Sequence, residues 1–315
     1  MKKLSDIVGY LNLLDSLDAS SKATEAVAGL KNINQVLTEH VDQYQGTTAR
    51  FNDTFNKITY TITQLLNQVE EFKQSIRDEI KSLEKEYLRE SLNTYNEYYR
   101  HKGVDTLLKE RMAIDIEDEL KLRTRLKNLT DWRLPGMIIR PGLETYIEDM
   151  VPLDPLYVVD HDSKLMRPSI TKFTPEYQRR LREYVIDDWQ EEVILNNLPD
   201  AQFGVIFAYN YFNYKPVPII YKFLKEFYQK LRPGGTVIMT YNNCDLAHGV
   251  IRAESGSMLY TPARLIIKRA LELKFELIDS HNGKADVSWL ELRKPGDIAS
   301  LRGGQTLAKI LAKSS

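Results

Sequence analysis

The sequence predicts an α/β protein in two parts, a long α-helical coiled coil followed by a seven-stranded Rossmann-like sandwich. A seven-residue apolar repeat is sustained from Val27 to Leu83. A strand, a crossover helix and a second strand follow one another almost without interruption between Phe203 and Asp245. None of the 12 prolines precedes Pro135, so the residue least compatible with a helix interior divides the chain. The segments implied are a helical region over 1–103, a connecting helix over 104–134, a sheet domain over 135–295 and a tail over 296–315.

Composition narrows the function classes. A hydrophobic content of 43% over 315 residues supports a full core, and a net charge of -1 gives no bulk electrostatic signal for nucleic acid. The single cysteine, Cys244, excludes an internal disulfide framework and suits a reducing compartment. No apolar run approaches the length of a membrane span, and Met1-Lys2-Lys3 leads into a mixed polar and apolar helix, not a signal peptide. A cytoplasmic protein without a membrane partner is expected.

In chain order, Leu4, Ile7, Val8, Leu11, Leu14 and Leu17 mark an amphipathic helix that Ser20-Ser21 interrupts. The heptad then begins. Its a positions run Val27, Asn34, Val41, Thr48, Phe55, Ile62, Val69, Ile76 and Leu83, and its d positions run Leu30, Leu37, Tyr44, Phe51, Ile58, Leu65, Phe72 and Glu79. Such a seam would be roughly 85 Å long, more than the sheet domain could cover, so the expected partner is another copy of the chain. Phe51, Phe55 and Phe72 are large for two strands and point to a trimer or higher, while Asn34, Thr48 and Glu79 would fix register at a cost in stability. An intramolecular helical bundle would satisfy the same pattern. The stripe broadens through Tyr87, Leu92 and Tyr95, which signals a change of packing partner, and Gly103 is a natural C-cap. Val104–Leu129 reads as a further helix with a densely charged face.

The sheet domain reads as strands at Met137–Ile139, Leu156–Val159, Glu183–Ile186, Val205–Ala208, Thr236–Thr240, Phe275–Asp279 and Val287–Leu292. A helix from about Pro218 to Leu231 joins the fourth to the fifth, stopped by Pro233-Gly234-Gly235. A later helix, Arg264–Leu273, starts with Pro262 at its first position. The tail, Gly303-Gly304-Gln305-Thr306 followed by Leu307, Ile310 and Leu311, is a hinge and a short amphipathic helix that either packs on its own domain or docks on another protein.

The unit built on L-R-P-G-G between two apolar strands resembles the fourth and fifth strands of class I S-adenosylmethionine-dependent methyltransferases, over roughly residues 135–295. That resemblance implies S-adenosylmethionine as cofactor and an antiparallel hairpin closing a seven-stranded sheet. It implies Asp160 after the second strand as acceptor for the ribose hydroxyls, and Asp187 or Asp188 after the third for the adenine amino group. Gly142 is the one survivor of the family's glycine loop, where Arg140 and Glu144 stand in place of the first and third glycines. Tyr209 and Asn210 form the tip of the fourth strand, and Tyr209-Asn210-Tyr211 departs from the motif of methyltransferases acting on DNA bases. Cys244 and His248, four apart, read as a helix-start packing detail or as a nucleophile and base. No metal constellation is present in the pattern of the five histidines and one cysteine. The combination of a long N-terminal coil, an altered glycine loop and the Y-N-N-C-D run Tyr241–Asp245 after the fifth strand is similar to tailed-phage proteins, which implies a second reading: a structural component of the virion that uses the fold as an interaction module and touches other virion proteins.

Overall fold

The computed structural model describes residues 4–18, 49–102, 114–141, 144–187, 193–283 and 287–296, with the single positions 29 and 32. The chain divides into two compact units, Met1–Tyr87 and Leu88–Ser315.

The first unit contains helix α1 (Leu4–Asp18) and most of α2 (Ala49–Glu97), a helix of 49 residues. Heptad positions from Val27 to Thr48 lie outside the described residues. On α2 the seam residues Val69 and Phe72 are 42% and 52% exposed, whereas Ile76 and Leu83 are buried. Two large apolar side chains at a and d positions are thus in water in the single chain.

In the second unit, a seven-stranded sheet has the order β3-β2-β1-β4-β5-β7-β6. The strands are β1 (Gly136–Ile139), β2 (Leu156–Asp160), β3 (Leu181–Val185), β4 (Phe203–Ala208), β5 (Leu231–Tyr241), β6 (Glu276–His281) and β7 (Ser288–Arg293). The first five are parallel, and β7 inserts antiparallel between β5 and β6. This is the mixed sheet with a closing hairpin expected of a methyltransferase-type fold. The central strands β1 and β4 are buried along their whole length, which is why they read as continuous apolar runs.

Helices flank the sheet: α3 (Ile116–Leu129), α4 (Glu144–Asp149), α5 (Ser163–Ile170), α6 (Pro175–Gln178), α7 (Val217–Lys230), α8 (Ala247–Glu254) and α9 (Ala263–Glu272). The buried face of α7 is aromatic. Phe223 meets Tyr211 and Phe212 edge-on at 5.5 and 5.1 Å and leans on Phe227 at 5.6 Å. Asp115 caps α3 by accepting from the amides of Glu117 and Asp118. Arg123 grips the buried carboxylate of Asp149 with two hydrogen bonds of 2.7 and 3.0 Å, and Arg125 grips the buried Glu291 in the same bidentate way. The charged face of α3 is therefore more than a solvated surface: it clasps α4 on one side and β7 on the other.

Two local expectations are corrected. The helix α7 ends at Lys230, ahead of the Pro-Gly-Gly run, because Leu231 is already extended (φ -66°, ψ 137°). Pro233 to Gly235 lie within β5, where pairing shifts from Phe203 with Leu231 to Val205 with Thr236, and Gly234 takes a φ of 76° to carry that irregularity. Pro262 is the N-cap of α9, not its first residue, since its ψ of 131° is extended.

Candidate functional site

In a sheet that runs outward in both directions from β1, the crevice beyond the strand ends at β1 and β4 is the place where ligands can enter. Arg140 leaves β1 there and Asn210 leaves β4. Both have left-handed backbone (φ 54° and 51°), which turns the chain sharply as each strand stops. The amide of Asn210 is held by the Thr240 hydroxyl of β5 at 2.7 Å.

Asp160, the last residue of β2, is 0% exposed. Its two carboxylate oxygens accept from Arg140 Nε at 3.3 Å and Nη2 at 3.4 Å, and one also accepts from the amide of His161 at 2.8 Å. The pairing follows from the register, since Ile139 lies beside Val159 and the amide of Arg140 bonds to the Val159 carbonyl at 2.9 Å. Burial pushes the Asp160 carboxyl upward, but the Arg140 charge and the contacts with His161 outweigh it and hold the group down at about 2. It is an ionised carboxylate inside the protein, facing its own arginine.

The Arg140 guanidinium also lies 5.0 Å from the centre of the Tyr211 ring, and Lys215 Nζ lies 4.6 Å from the same ring. Lys215 is buried and donates to the hydroxyl of Tyr95 at 2.9 Å. Tyr95 belongs to the last turns of α2. On the same helical face, one and two turns apart, Ser91 accepts from the Tyr260 amide at 3.3 Å, and Tyr99, just beyond the helix, donates to the Gly256 carbonyl at 2.6 Å. All three are buried. The end of α2 is thus bonded to the loops that follow β4 and α8, beside the crevice.

The remaining predicted residues are placed as follows. Tyr209 is half-buried and packs its ring on Tyr146 of α4 at 4.6 Å. Burial raises the pKa of both phenols, so each stays neutral. Asp187 is half-buried just past β3, and the neighbouring amide of Ile186 bonds to the Asp160 carbonyl at 3.0 Å. Gly142 and Asp188 lie outside the described residues. The structure therefore gathers Asp160, Asp187, Tyr209 and Asn210 at one sheet edge. It adds Arg140, Tyr211, Lys215 and Tyr95, which the strand pattern did not single out as site residues.

Beyond β5, Asn242 donates to the carbonyls of Gly249 and Leu259 at 3.0 Å each, tying α8 to the following loop. Cys244 is enclosed in the same knot, accepting from the Thr261 amide at 3.4 Å, and burial pushes its thiol up to about 12. That environment removes the thiolate needed for a nucleophile. The expected outcome is that the native chain takes up no thiol-specific reagent at pH 8 and reacts once unfolded; rapid labelling of the folded protein would contradict it. Among the described residues no group of three His, Cys, Asp or Glu side chains is placed to hold a metal ion.

The resemblance read from the sequence implies S-adenosylmethionine. Asp160 is the kind of acceptor its ribose needs; in this arrangement its oxygens are turned to Arg140 and closed to solvent, so it fits a ribose only with Arg140 turned away. No family model matches the chain, and no curated protein does. Solved structures that the chain matches include the [4+2]-cyclase SpnF, 13% identical, covering 60% of this chain and 86% of its own with a TM-score of 0.46. The N-methyltransferase NodS from Bradyrhizobium japonicum WM9, in complex with S-adenosyl-L-homocysteine, is 15% identical, covering 64% of this chain and 99% of its own with a TM-score of 0.46. Geranyl diphosphate C-methyltransferase from Streptomyces coelicolor A3(2), solved with Mg2+, geranyl diphosphate and S-adenosyl-L-homocysteine, is 7% identical, covering 56% and 81% with a TM-score of 0.45.

Proposed function

We propose that this chain is an oligomeric interaction protein whose methyltransferase-type domain is held closed by its own side chains. The observation that carries this reading is the Arg140–Asp160 pair, which puts an internal cation where a cofactor's ribose would bind. Fold does not bring activity with it, and a sheet edge already filled by Arg140, Tyr211, Lys215 and Tyr95 is a rigid platform more than a pocket. The heptad and the exposed Val69 and Phe72 support self-association through α2, as a trimer or higher. A long spacer bearing such domains suits a tailed-phage particle, where it would contact other virion proteins. No helix among the described residues is long and apolar enough to cross a membrane.

A second reading, a methyltransferase that binds S-adenosylmethionine and acts on an acceptor, is favoured by one observation: Asp160 is ionised and ends the correct strand. It requires Arg140 to leave that carboxylate. In that case Asp160 would hold the ribose and the cofactor would supply the methyl group.

Calorimetric titration of the full chain with S-adenosylmethionine and S-adenosyl-L-homocysteine separates the two. The closed-domain reading expects no binding tighter than about 1 mM. Micromolar binding that disappears in Asp160→Ala would overturn it in favour of the enzyme. The mass of the chain in solution tests the assembly, which a monomer would refute.

A further inference from the structure

Just past α2, Lys102 sits among aromatic faces. It follows the short 3-10 turn Tyr99–His101, and its amide bonds to the Tyr99 carbonyl at 3.4 Å. Residues three and four apart meet on a helical turn, so Lys102 comes back over Tyr98 and Tyr99. Its Nζ lies 5.3 Å from the centre of the Tyr98 ring, 5.0 Å from that of Tyr99 and 5.4 Å from that of Tyr214, which ends the turn after β4. The three rings form one enclosure: Tyr98 meets Tyr99 edge-on at 5.1 Å, and Tyr99 lies tilted against Tyr214 at 5.5 Å. Tyr99 and Tyr214 are buried, and the Tyr99 hydroxyl is fixed on the Gly256 carbonyl at 2.6 Å, so these two walls are set in advance. Tyr98 is 55% exposed and Lys102 half-buried, which leaves the enclosure open to solvent on their side. Lys215 supplies the contrast. It too lies over two rings, Tyr95 at 4.9 Å and Tyr211 at 4.6 Å, but it is buried and bonded to a phenol hydroxyl, as a cation of the core is.

We propose that the enclosure of Tyr98, Tyr99 and Tyr214 is a binding site for a quaternary ammonium group, with Lys102 as the internal occupant that such a ligand displaces. The class follows from the walls. Ring faces attract a cation through their quadrupole, and several faces together favour the cation that sheds its water most readily. A lysine ammonium is compact and strongly hydrated, held on a flexible four-carbon stem. A quaternary ammonium has the same charge and no N–H to leave unsatisfied, and its methyl groups can lie on all three rings at once. The stem of Lys102 needs only to swing outward, towards the side where Tyr98 is exposed, to vacate the place. Nothing in this assignment depends on whether Asp160 holds Arg140 or a cofactor.

The test is a proton NMR titration of the full chain with tetramethylammonium chloride, against sodium chloride at equal ionic strength. In Lys102→Ala, which empties the enclosure, the N-methyl signal is expected to broaden and move upfield, as protons over ring faces do, with a Kd on the order of 1 mM. The parent chain should bind about tenfold more weakly, because Lys102 has to leave, and Lys102→Arg, which keeps a cation in place, should resemble the parent. Adding Tyr98→Ala to Lys102→Ala removes one wall and should weaken binding about tenfold; as the exposed wall, Tyr98 can be removed without disturbing the fold, which circular dichroism checks. Binding by Lys102→Ala no tighter than by the parent, or unchanged without the Tyr98 ring, would overturn the proposal. A second measurement needs no change at Lys102. Choline chloride at about 100 mM should raise the melting temperature of the parent by about 2 °C over the sodium salt, and Tyr98→Ala should abolish the rise. An equal rise in both chains, or none in the parent, counts against the site.

Discussion

Replacing Arg140 by alanine is expected to destabilise the folded chain by about 3–5 kcal/mol. Asp160 would then be a carboxylate with no exposure that has lost the guanidinium on its oxygens and keeps only His161 beside them. The cost comes from the stranded charge and not from the lost contact, so the double variant Arg140→Ala with Asp160→Asn should recover much of the loss. Urea unfolding of the three variants measures this. If Arg140→Ala falls within 1 kcal/mol of the parent, the carboxylate is not sealed and the closed-domain reading fails with it. The same pair predicts an acid dependence. Because the folded-state pKa of Asp160 is depressed to about 2, its stabilising contribution is present above the unfolded carboxylate value and is lost as pH falls from about 4 towards 2. Asp160→Asn should remove that part of the acid transition.

Gly249→Ala is expected to cost at least about 3 kcal/mol, a large effect for a single methyl group. A Cβ at this position would stand 2.0 Å from the carbonyl oxygen of Asn243 and 2.5 Å from its carbon. Both are backbone atoms in the turn after β5. No side chain can rotate aside to make room, and moving the backbone would pull apart the bonds of Asn242 to Gly249 and Leu259. By contrast, a Cβ on Gly256, which has open space around it, would meet only the strain of its left-handed φ of 70°. Thermal melts of the two variants should separate clearly, and similar melts would show that the approach of α8 to β5 is looser than described.

The difference between these residues also explains how much the sequence disclosed. Buried strands such as Val205–Ala208 announce themselves because both faces are covered, and the crossover helix α7 shows its aromatic stripe at 3 and 4 residue spacing. Seven strands with a closing hairpin could be read on that basis. The end of β5 nearest Pro-Gly-Gly could not, because an irregularity that accommodates extra residues has the same composition as a helix stop. Helix α5 was hidden by Pro168 within it. At the site, Asp160 was identifiable from its position, and the partner was almost so: once β1 and β2 are set parallel, Arg140 falls beside Asp160. Lys215 was not, since its partner Tyr95 is separated by 120 residues and belongs to a helix whose local pattern says only that its apolar stripe broadens.

That last contact bears on where the carboxyl-terminal unit may be severed. Ser91, Tyr95 and Tyr99 give it hydroxyl partners from the helix that ends before the first strand begins, so a fragment starting at Pro135 would bring the ammonium of Lys215 and the amide of Tyr260 to the surface without them. An autonomous piece has to retain Ser91, Tyr95 and Tyr99, and the division between the two units, just ahead of Leu88, leaves all three with the sheet.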